Sequence, residues 1–380
     1  MNLNEEFNKV AIKVPNIYLP NKSVDLSKFA VIAADQFSAE KKYWDKVEAY
    51  VGDSVSTYNL FMPEARMQMT KKKLKEITKN MKDYIAEKKI EEIGEGFIYV
   101  ERMTTSGIRH GLIVCIDLEQ YSFKKRAKTL IRPTEGTVED RLPIRIDIRR
   151  DAKLDLPHVL MLINDRDNLL FSYLSEISKN KTAIYDFDLM FGGGNIKGYK
   201  ICEDSELSGI LQILNQIKEN CVDNLMYAIG DGNHSLAAAK ICYEENKTEL
   251  NRYALVELVN IYDEGVEFFP INRLLINVDK EKFKREVNID INNPMPLQDL
   301  QIILDEFLKN NKSTRLEYIH GVEECKRLGS IDGNIAITYD TFDKSNFFND
   351  IINHGTLCRK SFSIGKNIDK RYYLESIKIK

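Results

Sequence analysis

The pattern of apolar and polar positions along the chain switches repeatedly between two rhythms. Short apolar runs bounded by turn residues read as buried strands, and apolar positions recurring every three or four residues read as helices. AVIAA at 30–34 is such a run and stops at Asp35. SAEKKYWDKVEAYVG then predicts a helix with Ser38 as N-cap and Tyr43, Val47 and Val51 on one face. A strongly charged amphipathic helix is expected over 65–90. GFIYVERMTTSGIRHGLIVCIDL reads as two strands around Thr-Thr-Ser-Gly, a hairpin. IRPTEGTVEDRL turns into a helix with Thr134 or Thr137 as cap, and RLPIRIDIRRDAK reads as its solvated face.

PHVLMLIND predicts a buried strand and DNLLFSYLSEISK a helix. KTAIYDFDLM and NIKGYKI read as strands on either side of Gly192-Gly193-Gly194. DSELSGILQILNQIKEN is a helix expected to be capped by Asp204 or Ser205. MYAIGDGNHSLAAAK passes from strand to helix, and YALVELVNI is a further buried strand. Strands alternating with helices, with a hairpin among them, predict an α/β fold built on a mixed β-sheet with flanking helices. Near residue 278 the composition turns polar: DKEKFKREVNIDINN reads as an edge or excursion. LQDLQIILDEFLKN, RLEYIHG, GVEECKRL and NIAITYD then alternate helix and strand in a compact unit. The expected organisation is a core over 1–278, a small α/β subdomain over 279–345, and a basic tail over 346–380 that returns to the core, with YYLESIKI strand-like.

The chain has 380 residues, of which 43% are hydrophobic and 30% charged, and this composition reads as globular. A net charge of -3 gives no bulk electrostatic case for nucleic acid or an anionic membrane. MNLNEEFNKV lacks the features of a signal peptide and no apolar run is long enough to span a bilayer, so a cytoplasmic location is expected. The six cysteines form no CxxC pair and are expected to be reduced, buried and apolar in role. The five histidines show no HxxxH or HExxH, so no dedicated zinc site is expected.

The polar knot Asp231-Gly232-Asn233-His234-Ser235 stands out because it lies between a strand and a small-residue helix. Gly232 can take a positive φ, and the residues after it would open a helix whose first amides are unpaired, a geometry that binds phosphate. His234 and Ser235 add donors, and Asp231 could orient a hydroxyl or hold Mg²⁺. The plainer alternative is a capped turn. Asp35-Gln36 ends a buried strand, a common catalytic address in α/β folds. Arg132 offers a fork for phosphate, with Thr134, Glu135 and Thr137 close by. Gly193 and Gly194 are candidates for a flap over a ligand, with a hairpin loop as the alternative. His158, Lys360, Ser363 and Lys366 complete the candidates.

In order, VIAADQF, RPTEGTVEDRLPIRIDIRRDAKLDLPHVLMLIND, YDFDLMFGGGNIKGYKI, AIGDGNHSLAAAK and RKSFSIGKNIDKRYYLE resemble the bacterial family called domain of unknown function 1015. The turn also resembles the phosphate-binding turn of the wider ParB/sulfiredoxin superfamily, which includes a free-serine kinase. The resemblance implies a ParB/sulfiredoxin-like nucleotide-binding core. Two departures matter: Ser235 stands where an arginine is usual, and Asn233 where sulfiredoxin has its reactive cysteine. No basic helix-turn-helix follows, so nucleic acid is not an expected partner. The implied function is phosphoryl transfer between a nucleotide (ATP, ADP or CTP) or pyrophosphate and a small hydroxylated metabolite such as serine or phosphoserine. Asp35, Glu135 and Asp231 would be catalytic, Gly232 to Ser235 with Arg132 and Lys197 would hold phosphate, and Mg²⁺ would assist. A non-catalytic ligand sensor and a small-molecule phosphatase are the alternatives. A small phosphate ligand, no membrane, and self-association are the expected partner relations.

Overall fold

The computed structural model describes residues 3–32, 41–63, 71–291 and 294–380. The chain divides into two compact units. The first comprises residues 1–266 and 365–380, the second Glu267–Ile364. The second unit thus takes in residues 267–278, expected as core, and 346–364, expected as tail, beside the subdomain expected over 279–345.

In the first unit the chain runs α1 (Leu3–Asn8), β1 (Ile12–Lys13), β2 (Asn16–Pro20), α2 (Leu26–Phe29), α3 (Lys41–Val51) and α4 (Lys71–Ala86). Next come β3 (Ile90–Glu95), the hairpin β4 (Phe97–Thr104) and β5 (Gly107–Asp117), β6 (Ile131–Pro133), α5 (Leu142–Asp151), β7 (Leu154–Asp155) and β8 (Leu160–Ile163). Then follow α6 (Leu169–Ser178), β9 (Tyr185–Asp188), β10 (Asn195–Ile201), α7 (Asp204–Glu219), β11 (Tyr227–Asp231), α8 (Asn233–Glu245) and β12 (Tyr253–Asn260). The main sheet has nine strands in the order β6-β11-β8-β12-β5-β4-β10-β9, with β1 added beside β5. It is mixed: β11 runs parallel to β6, β12 runs parallel to β8, and the other neighbours are antiparallel.

The central strands are buried on both faces, which is why they read as continuous apolar runs. On β12, Ala254, Val256 and Leu258 enter one core while Tyr253 and Leu255 enter the other. The first core is covered by α1, α6 and α7, the second by α2, α4 and the segment Tyr372–Ile379. Helix α7 is capped by Glu203, not by Asp204 or Ser205. Glu203 accepts from the N3 backbone and Glu206 reaches back to the Glu203 N–H, a reciprocal capping box.

Residues 365–380 return to this unit as a strap with little regular structure: β17 (Ile377–Lys378) pairs with β7, and YYLESIKI is otherwise not a strand. Buried charges hold the strap instead. Arg102 of β4 donates to the carbonyls of Ile368, Asp369, Lys370 and Gly193, and Arg109 of β5 donates to that of Asp369. Glu257 of β12 lies 3.3 Å from Arg109 and 3.1 Å from Arg371, all three nearly inaccessible to water. Burial and the adjacent Arg109 pull the Arg102 guanidinium below its usual range, opposed by Tyr372, Glu257 and Asp369.

The second unit carries β13 (Phe268–Ile276), α9 (Lys280–Val287), α10 (Leu297–Asn310), β14 (Arg315–His320), α11 (Val322–Gly329), β15 (Ile335–Ile337), α12 (Phe347–His354) and β16 (Phe362–Ile364). Its sheet is ordered β14-β13-β15, with β16 also pairing β13. The DKEKFKREV stretch, expected as an edge, is α9: Asp279 caps it, and Phe283 and Val287 bury one narrow face. Among the described residues no helix is long and apolar enough to cross a membrane.

Candidate functional site

Three strand ends build the candidate site. Because β6 and β11 are parallel neighbours, the loops that follow them leave the same edge of the sheet. Because β8 is antiparallel to β11, its first residue, Leu160, pairs with Asp231, the last of β11. Thr134–Val138, Asp231–Ser235 and His158–Val159 are thereby gathered at one place.

Gly232 sits between β11 and α8 with φ +88°, and a Cβ there would lie 2.9 Å from Val159 Cγ2. Only glycine allows this turn its left-handed conformation and its approach to Val159. The first rung of the α8 ladder is Leu236 N–H to Gly232 O at 3.1 Å, so the amides of Asn233, His234 and Ser235 precede the helical hydrogen bonds.

The loop after β6 braces this turn. Thr134 Oγ1 donates to Ile229 O at 2.6 Å and accepts from Asn233 Nδ2 at 3.3 Å. Val138 N–H donates to His234 Nε2 at 3.2 Å. Asn233 Oδ1 and Thr137 Oγ1 are buried with no hydrogen-bond partner. On the other flank Ser235 Oγ lies 3.2 Å from His158 Nε2, and Tyr373 OH lies 2.9 Å from His158 Nδ1. A hydroxyl–imidazole–phenol chain thus starts at the first turn of α8.

Asp231 is engaged at both oxygens: Oδ1 accepts from Gly232 N–H at 2.8 Å, and Oδ2 pairs with Lys370 Nζ at 3.2 Å. Burial acts to raise the carboxyl, but Lys370, then His158 and the Gly232 N–H outweigh it, and Asp231 stays below the usual aspartate range. A divalent ion at Asp231 would have to displace the ammonium. Lys370 is 4% exposed, so the turn has a buried cation beside it.

The sequence candidates divide accordingly. The structure brings together Thr134, Thr137, His158, Asp231, Gly232, Asn233, His234 and Ser235, with Glu135 on the same loop. Arg132 is spent elsewhere: it pairs with Asp223 at 3.0 Å, donates to Thr129 O, and contacts the Asp223 carbonyl, all before β11 begins. Lys197 lies on β10, five strands from β11 in the sheet order, and pairs with Asp186 at 3.1 Å. Both were expected to hold phosphate, and in both a local carboxylate claims the cation.

Gly193 and Gly194 end the β9–β10 hairpin against β4. A Cβ on Gly194 would fall 1.8 Å from Met103 O, so the loop is a packed corner. Lys366 is exposed on the strap, and its backbone N–H donates to Asp369 Oδ2 at 3.1 Å. Lys360 and Ser363 belong to the second unit, where Ser363 pairs with Phe269. Asp35 and Gln36 lie outside the described residues. Lys370 and Tyr373 were missed. Their signal was slight: a Lys-Arg pair set between Asp369 and two tyrosines, in a tail whose charges had been read as surface.

No group of three or more His, Cys, Asp or Glu able to hold a metal occurs among the described residues. Cys202 is exposed and Cys221 and Cys358 are partly exposed, so the expected burial of all six cysteines fails for three of them.

A family model described as "Protein of unknown function (DUF1015)" matches residues 17–329. No curated protein matches the chain. Among solved structures, a conserved hypothetical protein from Pyrococcus furiosus is 12% identical with a TM-score of 0.37, covering 70% of this chain and 95% of that one. A free serine kinase in complex with AMP is 12% identical with a TM-score of 0.38, covering 70% and 92%. A mutant of free serine kinase in complex with ADP is 11% identical with a TM-score of 0.39 and the same coverages.

Proposed function

The chain belongs to the DUF1015 family, and from that premise we propose that the Asp231–Ser235 turn binds the phosphates of a nucleotide and that the protein transfers a phosphoryl group to a small hydroxylated metabolite. The observation that carries the reading is the start of α8 without a side-chain cap, next to Asp231, which holds the buried Lys370 in an ion pair. Amides at a helix N-terminus supply donors and the positive end of the helix dipole. Lys370 is paired with Asp231, as Arg132 and Lys197 are with their own aspartates, but its partner belongs to the turn itself, so its poorly solvated ammonium would be shared with a phosphate bound there. It takes the place the sequence reading gave to Arg132 and Lys197. Asp231 holds that cation in place and anchors the turn.

Phosphoryl transfer asks chiefly for positioning and charge stabilisation. Asn233 Oδ1, buried without a donor, would accept from a hydroxyl or amine of the acceptor. Glu135, on the loop that braces the turn, or Asp35 would take the acceptor's proton. Serine is the first acceptor to test, with phosphoserine as the reverse substrate. Mg²⁺, where required, would ride on the nucleotide phosphates. A ParB/sulfiredoxin-like relationship of the core is part of this proposal.

A second reading, hydrolysis of a phosphate ester, is favoured by one observation: Tyr373 holds His158 Nδ1, and a water taking the place of Ser235 Oγ at Nε2 would have a base beside it. Isothermal titration with ADP and ATP, with and without Mg²⁺, tests the cradle. Lys370→Met should weaken nucleotide binding at least tenfold, and ³¹P NMR with ATP and serine separates phosphoserine from free phosphate. Nucleotide binding unchanged in Lys370→Met would refute the cradle.

A further inference from the structure

The hydroxyl–imidazole–phenol chain at the start of α8 opens onto a cavity of about 170 Å³ in the first unit, and Ser235, His158 and Tyr373 all line it. Ser235 and His158 are partly accessible to solvent. Ser235 is the third residue of α8 after Gly232, and no side chain caps this helix, so its hydroxyl has no capping duty. It lies instead 3.2 Å from His158 Nε2, while Tyr373 OH lies 2.9 Å from His158 Nδ1. The phenol is itself fixed: Tyr373 stacks on Phe61 with ring centroids 4.5 Å apart, and its N–H donates to Val31 O at 3.0 Å.

With its proton on Nδ1 and donated to Tyr373 OH, the imidazole presents Nε2 as an acceptor to Ser235. A hydroxyl, a base within hydrogen-bond reach and a third group that orients the base form the constellation of an activated nucleophile. Asp231, although paired with Lys370, also interacts electrostatically with His158, which favours the imidazolium formed when the serine gives up its proton. The amides of Asn233 and Ser235, ahead of the helical ladder, are donors for an oxyanion.

The cavity walls define the substrate. Trp44, Phe61, Met81, Ile148, Ala238 and Leu255 make them largely apolar. The charged side chains that also line it are engaged within the protein: Arg145 donates to Arg141 O at 2.8 Å, and Arg149 pairs with Asp155 at 2.7 Å. The walls therefore suit an uncharged apolar group. A cavity of roughly 150 Å³ with such walls accepts benzene, so the group has about six carbons.

We propose that Ser235 is the nucleophile of an acyl-transfer site that hydrolyses uncharged esters with an apolar acyl group of about six carbons, with His158 as general base and Tyr373 as its positioning residue. Ser235 Oγ attacks the carbonyl carbon while its proton passes to His158 Nε2. The tetrahedral oxyanion collapses, the bond to the leaving alkoxide breaks, and His158 gives the proton to that oxygen. A water deprotonated by the same nitrogen then attacks the acyl-serine, releasing the carboxylic acid and, with the proton handed back, the free Ser235 hydroxyl. The reaction uses no nucleotide and does not rest on the phosphoryl transfer proposed above.

The full chain, without nucleotide, is treated with an alkyl fluorophosphonate and mapped by mass spectrometry, and it is assayed with p-nitrophenyl acetate, hexanoate and dodecanoate. One adduct per chain, on Ser235, is expected, with kcat/KM for the hexanoate roughly tenfold or more above the other two esters. Ser235→Ala and His158→Asn should lower kcat/KM by roughly a hundredfold or more, and Tyr373→Phe by about tenfold through kcat with KM unchanged. Ala238→Leu, in the cavity wall, should move the preference to acetate while circular dichroism stays native. Labelling only at other residues, hexanoate turnover no faster than in Ser235→Ala, or equal turnover of all three esters would overturn the proposal. Where a variant fails to fold, the adduct position and the chain-length preference of the wild type decide. Nucleotide titration of the wild type is scored separately, so each proposal stands or falls on its own result.

Discussion

Replacing Gly232 by alanine tests the turn on which the site depends. Its φ of +88° is left-handed, and an L-residue there costs about 1–2 kcal/mol. The added Cβ would lie 2.9 Å from Val159 Cγ2 and 3.0 Å from Val159 Cα. Carbon atoms prefer roughly 3.5–4.0 Å, so something must move. Val159 cannot retreat freely, because its carbonyl accepts from Glu257 N–H at 3.0 Å inside the sheet. Overpacking against a fixed neighbour costs about 1–3 kcal/mol. The two effects act on the same atom, and together they predict a loss of about 2–5 kcal/mol. Urea unfolding followed by Trp44 fluorescence measures it, since Trp44 is buried in the same unit. Gly136, on the bracing loop, is the control: its Cβ would meet nothing within 4 Å, so Gly136→Ala should be neutral or stabilise by up to about 1 kcal/mol. A Gly232→Ala midpoint within about 0.5 kcal/mol of wild type, at unchanged slope, would show that the turn tolerates a side chain and would refute the argument.

Two further outcomes follow from the buried charges. Glu257→Gln leaves Arg109 and Arg371 without their shared carboxylate, and breaking a buried pair in this way should cost about 3–5 kcal/mol. The same urea assay checks it, and a loss under about 1 kcal/mol would mean water reaches the cluster. His110 Nδ1 lies 2.7 Å from Asp263 Oδ2, and that hydrogen bond, opposed by burial and aided by the Asp263 charge, raises the imidazole above its ordinary value. A raised folded value means the stabilisation is complete below about pH 6.5 and is lost as pH rises through the folded value. NMR titration of the His110 ring should therefore show a downward shift in Asp263→Asn, and stability that climbs through neutral pH in the wild type would contradict the assignment.

The elements most legible in the sequence were those whose pattern is set by burial. β12 and β5 are apolar on both faces because each face meets a separate core, and their runs are continuous for that reason. The strand–glycine–helix turn was legible because Gly232 answers a backbone need that no other residue meets. What escaped was decided by tertiary pairing. Arg132 and Lys197 have the right chemistry for phosphate, but nothing local reveals that Asp223 and Asp186 fold against them. Lys370, Arg371 and Glu375 look like a solvated tail because burial of their charges is set by partners far off in the chain: Asp231 for Lys370, Glu257 for Arg371 and Tyr185 for Glu375. DKEKFKREV reads as polar throughout because α9 hides only Phe283 and Val287.

The strap also imposes an order of events during synthesis. Arg102, Arg109 and Glu257 emerge from the ribosome before the whole second unit, and Asp369, Lys370 and Arg371 only after it. At roughly 5–20 residues per second, that gap is on the order of ten seconds. Through that interval β11, Gly232 and α8 exist without Lys370 or Tyr373, so a nascent chain carries the amides of the cradle but not its cation. If the turn binds phosphate as proposed, that binding would await completion of the second unit, and a chain that stalls within it would leave two buried arginines and a carboxylate exposed to water, a local state distinguishable from the finished protein by its sensitivity to proteolysis.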